Sequence, residues 1–234
     1  MDVSGQAFSN QLMYFNNPTI AAYDSSEFNP ESQAESHPLH HEISVESYKS
    51  PSERRRNIVG FQYDDQLSDR RHAVYRHAAD KRVIMGSRGT NPKELRDLYS
   101  DAALTIGQFK GTKHYKTSVK KYQQVQDKYG PNQSYHLSGH SLGAHNTYAL
   151  ANRYPNSTQT SVGFNQPGSL PGLVSSGIQN IYQTPTQKKV DKFHVMYNNT
   201  LDPVSILSRH RKIQRNQKAH HSWNPHSLQS WYNY

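Results

Sequence analysis

The stretch Ser138–His145 constrains the fold of this chain more than any other. It reads Ser-Gly-His-Ser-Leu-Gly-Ala-His and contains the pattern G-x-S-x-G, centred on Ser141. A β-prone run, residues 134–137, precedes it, and a helical pattern over 142–154 follows it. In a strand–turn–helix of this kind the serine is presented to a substrate on a sharp turn, and the glycines let the turn close without Cβ clashes. The N–H groups of the helix N-terminus are then in position to stabilise an oxyanion. We therefore interpret Ser141 as a nucleophile rather than as part of a glycine-rich turn without chemistry.

The composition narrows the protein class. A chain of 234 residues suits one α/β domain with or without a tail, and an apolar share of 33% predicts that part of it packs poorly. The absence of cysteine excludes disulfides, thiolate metal sites and a cysteine nucleophile. We find no signal-peptide pattern and no apolar run long enough to span a membrane. These features disfavour a conventionally secreted enzyme and fit a cytoplasmic or virus-associated protein, with the compartment left open.

The net charge of +9 is unevenly distributed along the chain. Residues 1–50 carry seven acidic residues and one basic residue, a net charge of −6, which leaves +15 for residues 51–234. A basic body attracts phosphate-bearing surfaces, either lipid headgroups or nucleic acid, and it also aids solubility. The charge alone does not choose among these three roles.

Residues 1–56 are polar, with scattered aromatics and no sustained period. They predict an acidic, largely disordered or loosely docked N-terminal segment ahead of a catalytic domain over 57–234. The acidity of this segment would allow it to fold back on the basic body and inhibit it. We interpret the run Arg54–Arg56 as a charged linker rather than a processing or localisation signal. Its histidines predict a solvated tract rather than a metal site: His37, His40 and His41.

The remaining chain alternates between strand and helix patterns. This order predicts an α/β fold, with a central mostly parallel sheet flanked by helices and a catalytic edge at the carboxyl ends of the strands. The tyrosines of the second helix are expected to pack in the core. The predicted elements are strands 72–77 and 82–87, helices from Asn91 and over 113–129, strand 134–137, helix 142–154, and strands 159–164 and 190–197.

A serine hydroxyl needs a histidine base and an acid that orients the base. In chain order after Ser141 only two carboxylates occur, Asp191 and Asp202. Asp191 opens a predicted strand, which places it at the wrong end of the sheet. Asp202 follows that strand and precedes a proline, so a loop can present it beside the nucleophile. We prefer Asp202 as the acid, against the alternative of a simple Asp-Pro turn.

The base is chosen among five histidines downstream of Ser141. His226 is preferred, because it lies between a proline turn and a Leu/Trp segment that can dock it. His194 is expected to be a core residue of a strand, and His210 lies in a basic run whose positive potential opposes a general base. The other two alternatives are His220 and His221.

Residues 72–231 resemble the class 3 lipases, the fungal triacylglycerol lipase type of α/β-hydrolase. The motifs that carry the resemblance are Arg88-Gly89-Thr90 after a strand, Gly139-His140-Ser141-Leu142-Gly143, Phe164-Asn165-Gln166-Pro167-Gly168, an Asp after the next strand and a late His before an aromatic. The resemblance implies a triad of Ser141, Asp202 and His226. It also implies an oxyanion hole of Thr90 and the backbone N–H of Leu142, with no metal and no cofactor.

A second lipase family and one departure from the class 3 pattern bear on the resemblance. Pancreatic-type lipases share the Gly-His-Ser-Leu-Gly-Ala-His run, but they need an aspartate where this chain has Asn165, which favours the class 3 arrangement. The segment after Thr90 begins with charged residues, so a hydrophobic lid is not evident there, and residues 168–188 are a substitute lid or a packed connection.

The sequence thus predicts a serine esterase acting on lipid acyl esters, either as a triacylglycerol lipase or with phospholipase A1-type specificity. The basic body indicates a lipid or membrane surface as partner, with anionic phospholipid as one candidate. A soluble small-ester or thioester hydrolase is the first alternative. The second is a non-catalytic binder whose basic tail grips nucleic acid or another protein. It is disfavoured because the tail lacks the interleaved aromatics of a single-strand binder. The tail residues are Arg209, Arg211, Lys212, Arg215 and Lys218.

Overall fold

A computed structural model describes residues 37–90, 110–167 and 185–199 and the strand 214–217. The helix expected from Asn91, most of segment 168–188, and the predicted residues Asp202 and His226 lie outside the described residues. The helices are α1 (His37–Glu46), α2 (Lys113–Tyr129), α3 (Leu142–Arg153) and α4 (Pro185–Phe193), with a 3-10 turn at Pro51–Glu53. The strands are β1 (Asn57–Ile58), β2 (Phe61–Tyr63), β3 (His72–His77), β4 (Arg82–Ser87), β5 (Ser134–His140), β6 (Thr158–Phe164), β7 (His194–Asn199) and β8 (Gln214–Gln217).

The eight described strands form one sheet whose spatial order follows the chain. Strands β1 to β4 pair antiparallel, and β4 to β8 pair parallel, which confirms the predicted α/β class. Ser87 lies opposite Gly139, and Gly139 lies opposite Gly163. The carboxyl ends of β4, β5 and β6 therefore meet at one edge of the sheet, which we call the carboxyl edge.

The core has two layers because side chains alternate along each strand. On β3 and β4, Val74, Val83 and Met85 face the cluster that also contains residues of α2, α3 and α4. The alternate positions, Tyr75 and Ile84, face a second cluster together with residues of α1. Helices thus cover both faces of the sheet, as expected for a sheet of this class. No helix among the described residues is both long and apolar enough to cross a membrane.

Helix α2 forms where the sequence pattern predicts it. The Thr112 side chain accepts a hydrogen bond from the Tyr115 N–H at 3.2 Å, and the helix ends at Gly130, whose φ is 78°. Such a positive φ favours glycine at this position. Tyr115, Tyr122 and Val125 are buried in the core cluster, which confirms the predicted packing of this face.

The strand predicted over 190–197 is wrong in its first half. Residues 185–193 form α4, and β7 begins only at His194. Val190 and Phe193 are three residues apart and both are buried, which is the spacing of one helix face. The two-residue alternation of a strand begins only at His194, directly after the helical spacing of α4, so the sequence pattern alone does not separate the two elements. Strand β8 is a second difference, because it adds residues 214–217 of the expected basic tail to the sheet edge.

The N-terminal segment is docked from residue 37 onward, which corrects the expectation of a loosely held segment for 37–56. Ile43 is fully buried among strand residues, and His40 and His41 are buried rather than solvated. The Ser44 and Ser138 hydroxyls are 2.7 Å apart, and the Ser138 hydroxyl also donates to the His40 carbonyl. The prediction of a disordered or loosely docked segment stays a prediction for residues 1–36, outside the described residues.

The buried guanidinium of Arg54 joins this segment to the sheet. It donates to the carbonyls of Asp69 at 2.7 Å and His72 at 2.8 Å. It also donates to the carbonyls of Glu46, Ser47 and Lys49. Arg54 is therefore a structural residue of the domain, and the expectation of a charged linker is wrong at this position.

We expect Arg54→Met to lower the free energy of unfolding by about 3 kcal/mol or more, because several buried carbonyls lose their donor. Urea unfolding of the purified variant measures this loss. Arg56→Met is the matched control, since Arg56 is exposed and its ion pair with Asp65 spans 3.5 Å between side chains that are 64% and 69% exposed. An equal loss of stability in both variants would contradict the assignment.

Because the imidazole of His136 is half-buried, we expect the free energy of unfolding to depend on pH. Burial, assisted by the positive charge of Arg82, lowers the pKa of His136 from 6.5 to about 4. As the pH falls from about 6.5 to about 4, His136 therefore becomes protonated in the unfolded chain but stays neutral in the folded chain. This contribution to stability is complete above that window and declines as the pH falls through it.

We expect His136→Gln to flatten the decline in stability over this window relative to the parent protein. Urea unfolding at several pH values within it gives the two slopes. If the slopes are identical, His136 does not carry the effect.

Candidate active site

Ser141 lies on the turn between β5 and α3, in a backbone conformation that few residues adopt. Its φ is 56° and its ψ is −128°. Conformations of this kind cost about 1–3 kcal/mol and persist only where the surroundings enforce them. Here the Ser141 N–H donates to the Phe164 carbonyl at 2.9 Å, and the Ser141 carbonyl accepts from the Ala144 N–H at 2.9 Å. This is the geometry of the predicted nucleophile elbow.

Ser141 is nevertheless buried, with 1% of its surface exposed. The expectation that the turn presents it openly to a substrate is therefore wrong for this state of the protein.

Both glycines of the G-x-S-x-G pattern are required by close backbone contacts. A Cβ on Gly139 would lie 2.4 Å from the Gly143 carbonyl oxygen. A Cβ on Gly143 would lie 2.1 Å from the Ser87 carbonyl oxygen. Each distance is far below a van der Waals contact, so β4, β5 and α3 approach this closely only without side chains at these positions.

The loop after β4 packs directly on the elbow. A Cβ on Gly89 would lie 2.6 Å from the His140 carbonyl oxygen and 2.9 Å from Ser141 Cβ. Thr90, the next residue, is half-buried. Leu142 opens α3 directly after Ser141, at the helix position whose N–H has no intrahelical acceptor. The chain segments that carry the two predicted oxyanion-hole residues thus meet at Ser141.

Tyr48 is a site residue that the sequence analysis missed. Its hydroxyl accepts a hydrogen bond from the Gly89 N–H at 3.1 Å and lies 2.8 Å from His140 Nδ1. Burial raises the pKa of Tyr48 well above its ordinary value, so the hydroxyl keeps its hydrogen and can donate it to the imidazole. Tyr48 therefore ties the loop after β4 to the elbow. No local motif identifies it, because it stands in a stretch without periodicity.

The described histidines nearest the elbow in sequence have defined neighbours. His140 contacts Tyr48 through its ring edge, and His145 Nδ1 lies 3.5 Å from Gln166 Nε2. His194 is buried, with Nδ1 2.8 Å from the Ser161 hydroxyl. The expected core role of His194 is confirmed, although it begins its strand rather than lying mid-strand.

The predicted acid and base can be followed only as far as the described chain extends. Residue 191 lies in α4, which ends where β7 begins, so it remains at the amino edge of the sheet although it does not open a strand. Strand β7 ends at Asn199, and the Asn165 N–H donates to the Tyr197 carbonyl at 2.7 Å. The ends of β6 and β7 therefore adjoin the elbow. Asp202 and His226 stay predictions.

The described residues contain a Ser-His-Asp chain away from the elbow. The Ser118 hydroxyl lies 2.8 Å from His72 Nε2, and His72 Nδ1 lies 3.0 Å from an Asp69 carboxylate oxygen. Burial raises the pKa of Asp69, but the hydrogen bond and charge of His72 outweigh it and hold that pKa below its usual range.

This Ser-His-Asp chain is not arranged for catalysis. Ser118 and His72 are fully buried, and the Ser118 hydroxyl donates to the His114 carbonyl at 3.1 Å. The hydroxyl proton is thus directed away from the imidazole. We interpret the three residues as a structural link between α2 and β3.

The architecture is similar to that of a solved lipase. A lipase from Yarrowia lipolytica matches with a TM-score of 0.52 over 82% of this chain and 80% of that chain, at 14% sequence identity. The chain has an α/β-hydrolase fold. A triacylglycerol lipase from Penicillium expansum matches with a TM-score of 0.46 at 15% identity, over 78% of this chain and 79% of that one. No family profile and no curated protein matches the sequence. The resemblance drawn from the sequence is confirmed for the fold.

Within this hydrolase fold, we expect Tyr48→Phe to reduce ester hydrolysis about tenfold while the protein stays folded, because the Gly89 N–H loses its acceptor. The rate with a soluble short-chain ester measures the effect.

Tyr135→Phe is the matched control for this prediction. Tyr135 is also buried and donates its hydroxyl to the Gly130 carbonyl, but at the amino edge of the sheet. A comparable loss of rate in the control would show that any buried tyrosine hydroxyl has this effect and would remove Tyr48 from the site.

Proposed function

We propose that this protein is a serine-dependent carboxylic ester hydrolase that acts on lipid acyl esters. The observation that carries the proposal is the strained turn at Ser141, with φ 56° and ψ −128°, closed against the loop after β4. A serine in this conformation, between a strand and a helix N-terminus, matches the geometry that acyl transfer requires.

The proposed reaction proceeds through an acyl-enzyme. Ser141 Oγ attacks the ester carbonyl, and His226 takes the hydroxyl proton and passes it to the leaving alcohol. Asp202 holds the imidazole in the correct orientation. Water then attacks the acyl-enzyme with His226 as base and releases the fatty acid. No step uses a metal ion or a cofactor.

The assignment of Asp202 is supported by the end of β7. The strand stops at Asn199, beside the elbow end of β6. Three further residues span at most about 10 Å, a chain length that supports the assignment of Asp202 as the acid. His226 rests on the sequence pattern alone.

We assign stabilisation of the oxyanion, which forms on the ester carbonyl oxygen, to Thr90 and the backbone N–H of Leu142. Gly89, which precedes Thr90, packs against the elbow, and Leu142 follows the nucleophile. One donor of an oxyanion hole contributes about 3 kcal/mol to the barrier reduction in enzymes of this mechanism. Both donors belong to segments that the glycine contacts hold in place.

Lipid esters are the proposed substrate class for two reasons. A solved structure with a similar fold is a lipase. The charge of +15 over residues 51–234 favours substrates at a negatively charged surface. Anionic phospholipid, cleaved with phospholipase A1-type specificity, is therefore proposed alongside triacylglycerol.

We expect Ser141→Ala to reduce ester hydrolysis roughly ten-thousandfold, because the attacking hydroxyl is removed. Purified protein is assayed with a soluble short-chain ester and with anionic phospholipid vesicles. Ser118→Ala is the matched control, since it deletes the serine hydroxyl of the buried Ser-His-Asp chain. The control is expected to retain activity within a few-fold.

Other outcomes separate the alternatives. Activity that is lost in Ser118→Ala and kept in Ser141→Ala would transfer the site to the buried chain. A rate that does not increase when the ester passes from dissolved to aggregated form would identify a soluble esterase. Absence of hydrolysis with every ester would refute the proposed function.

A further inference from the structure

Five exposed basic side chains are gathered beside the carboxyl edge of the sheet. Two precede β3, one lies in the turn before α2, and two lie in the first turn of α2. We call this group the basic rim: Arg70, Arg71, Lys110, Lys113 and Lys116.

A backbone hydrogen bond and one neighbouring residue connect the basic rim to the elbow. The Arg71 carbonyl accepts a hydrogen bond from the Arg88 N–H at 2.8 Å. Gly89 follows Arg88 and packs against Ser141. The Arg71 guanidinium also lies 2.7 Å from His114 Nδ1, which joins the start of β3 to the first turn of α2. The positive charges therefore flank the candidate active site and not a remote surface.

The charges of the rim are not neutralised within the described part of the chain. None of the five side chains forms an ion pair with a described carboxylate, whereas several basic residues elsewhere do. Those pairs are Lys49–Glu46, Arg55–Glu42, Arg55–Glu46, Arg56–Asp65, Arg82–Asp80, Lys121–Asp69 and Lys128–Asp64.

Helix stability does not explain the lysines of the rim. Lys113 and Lys116 lie in the first turn of α2, which contains no acidic residue. The helix dipole disfavours positive charge at this end and favours it at the other. The two lysines also lie on the side of the helix opposite buried Tyr122, with Lys120 on the same face. The only acidic residue of α2 is Asp127, near its far end.

We propose that the basic rim docks the protein on an anionic phospholipid surface, with the carboxyl edge of the sheet turned toward the lipid. This inference rests on the proposed function for its purpose, which is to bring Ser141 to an ester held in that surface. Unpaired positive charge next to a candidate acyl-transfer site favours a phospholipid over nucleic acid, because a phospholipid carries a carboxylic ester beside its phosphate, whereas the nucleic-acid backbone carries phosphate esters. Each basic side chain near such a surface strengthens binding roughly fivefold at low salt.

Binding is measured in the Ser141→Ala background, so that hydrolysis does not alter the vesicles. The probe is sedimentation with vesicles of equimolar phosphatidylcholine and phosphatidylserine, compared with phosphatidylcholine alone. The rim variant combines Arg70→Gln, Lys113→Gln and Lys116→Gln and is expected to weaken binding to the anionic vesicles roughly a hundredfold. High salt is expected to abolish the binding of the parent protein.

Two further variants test whether binding depends on where the positive charge lies or only on the total charge. The control variant combines Lys81→Gln, Arg153→Gln and Lys189→Gln, three exposed residues away from the carboxyl edge, and is expected to bind within a few-fold of the parent. The conservative variant combines Arg70→Lys, Lys113→Arg and Lys116→Arg and is expected to bind like the parent.

Several results would overturn the docking surface. These are unchanged binding of the rim variant, an equal loss in the control variant, equal binding to uncharged vesicles, or displacement from the vesicles by a lower concentration of duplex DNA. The active-serine protein is assayed separately with a soluble ester. Rim-dependent binding without ester hydrolysis would refute the proposed function alone, and hydrolysis without rim-dependent binding would refute the docking surface alone.

Discussion

The structure depends on how closely three pieces of backbone approach one another around Ser141. The missing side chains of Gly89, Gly139 and Gly143 let the loop after β4, the end of β5 and the start of α3 touch. That contact holds Ser141 in a conformation that would otherwise cost about 1–3 kcal/mol. It also brings the loop after β4 and the N-terminus of α3 together at Ser141. This close approach of three backbone segments is what makes the carboxyl edge of the sheet a candidate acyl-transfer site.

The N-terminal segment extends the constraint to residues far away in the chain. Arg54 binds the carbonyls that surround Tyr48, and the Tyr48 hydroxyl in turn holds Gly89 and His140. Stability and site geometry are therefore linked, because the same segment closes the core over one face of the sheet and fixes the loop after β4. Acidic residues of α1 contribute to this docking through Arg55 rather than by covering the basic surface.

Charge is distributed to a different purpose at the two edges of the sheet. At the amino edge the basic residue Arg82 is paired with Asp80, whereas at the carboxyl edge the rim residues stand without described acidic partners. The serine of the buried Ser-His-Asp chain and the serine of the elbow also differ. Ser118 is locked by its hydrogen bond to the His114 carbonyl, whereas Ser141 lies on the strained turn between β5 and α3. Proximity of residue types therefore does not define a catalytic site, whereas backbone geometry and surroundings do.

The sequence by itself determined the α/β class, the helix over 113–129 and the elbow at Ser141, because these depend on local periodicity, caps and glycines. Only the tertiary structure decided the rest. The sequence around Val190 and Phe193 is compatible with a strand or a helix, and packing of both residues in the core favours the helix. Helix α1 is buried without a clear amphipathic pattern, because its polar side chains form hydrogen bonds inside the protein. Tyr48 and Arg54 act through contacts with distant backbone, which no local pattern encodes.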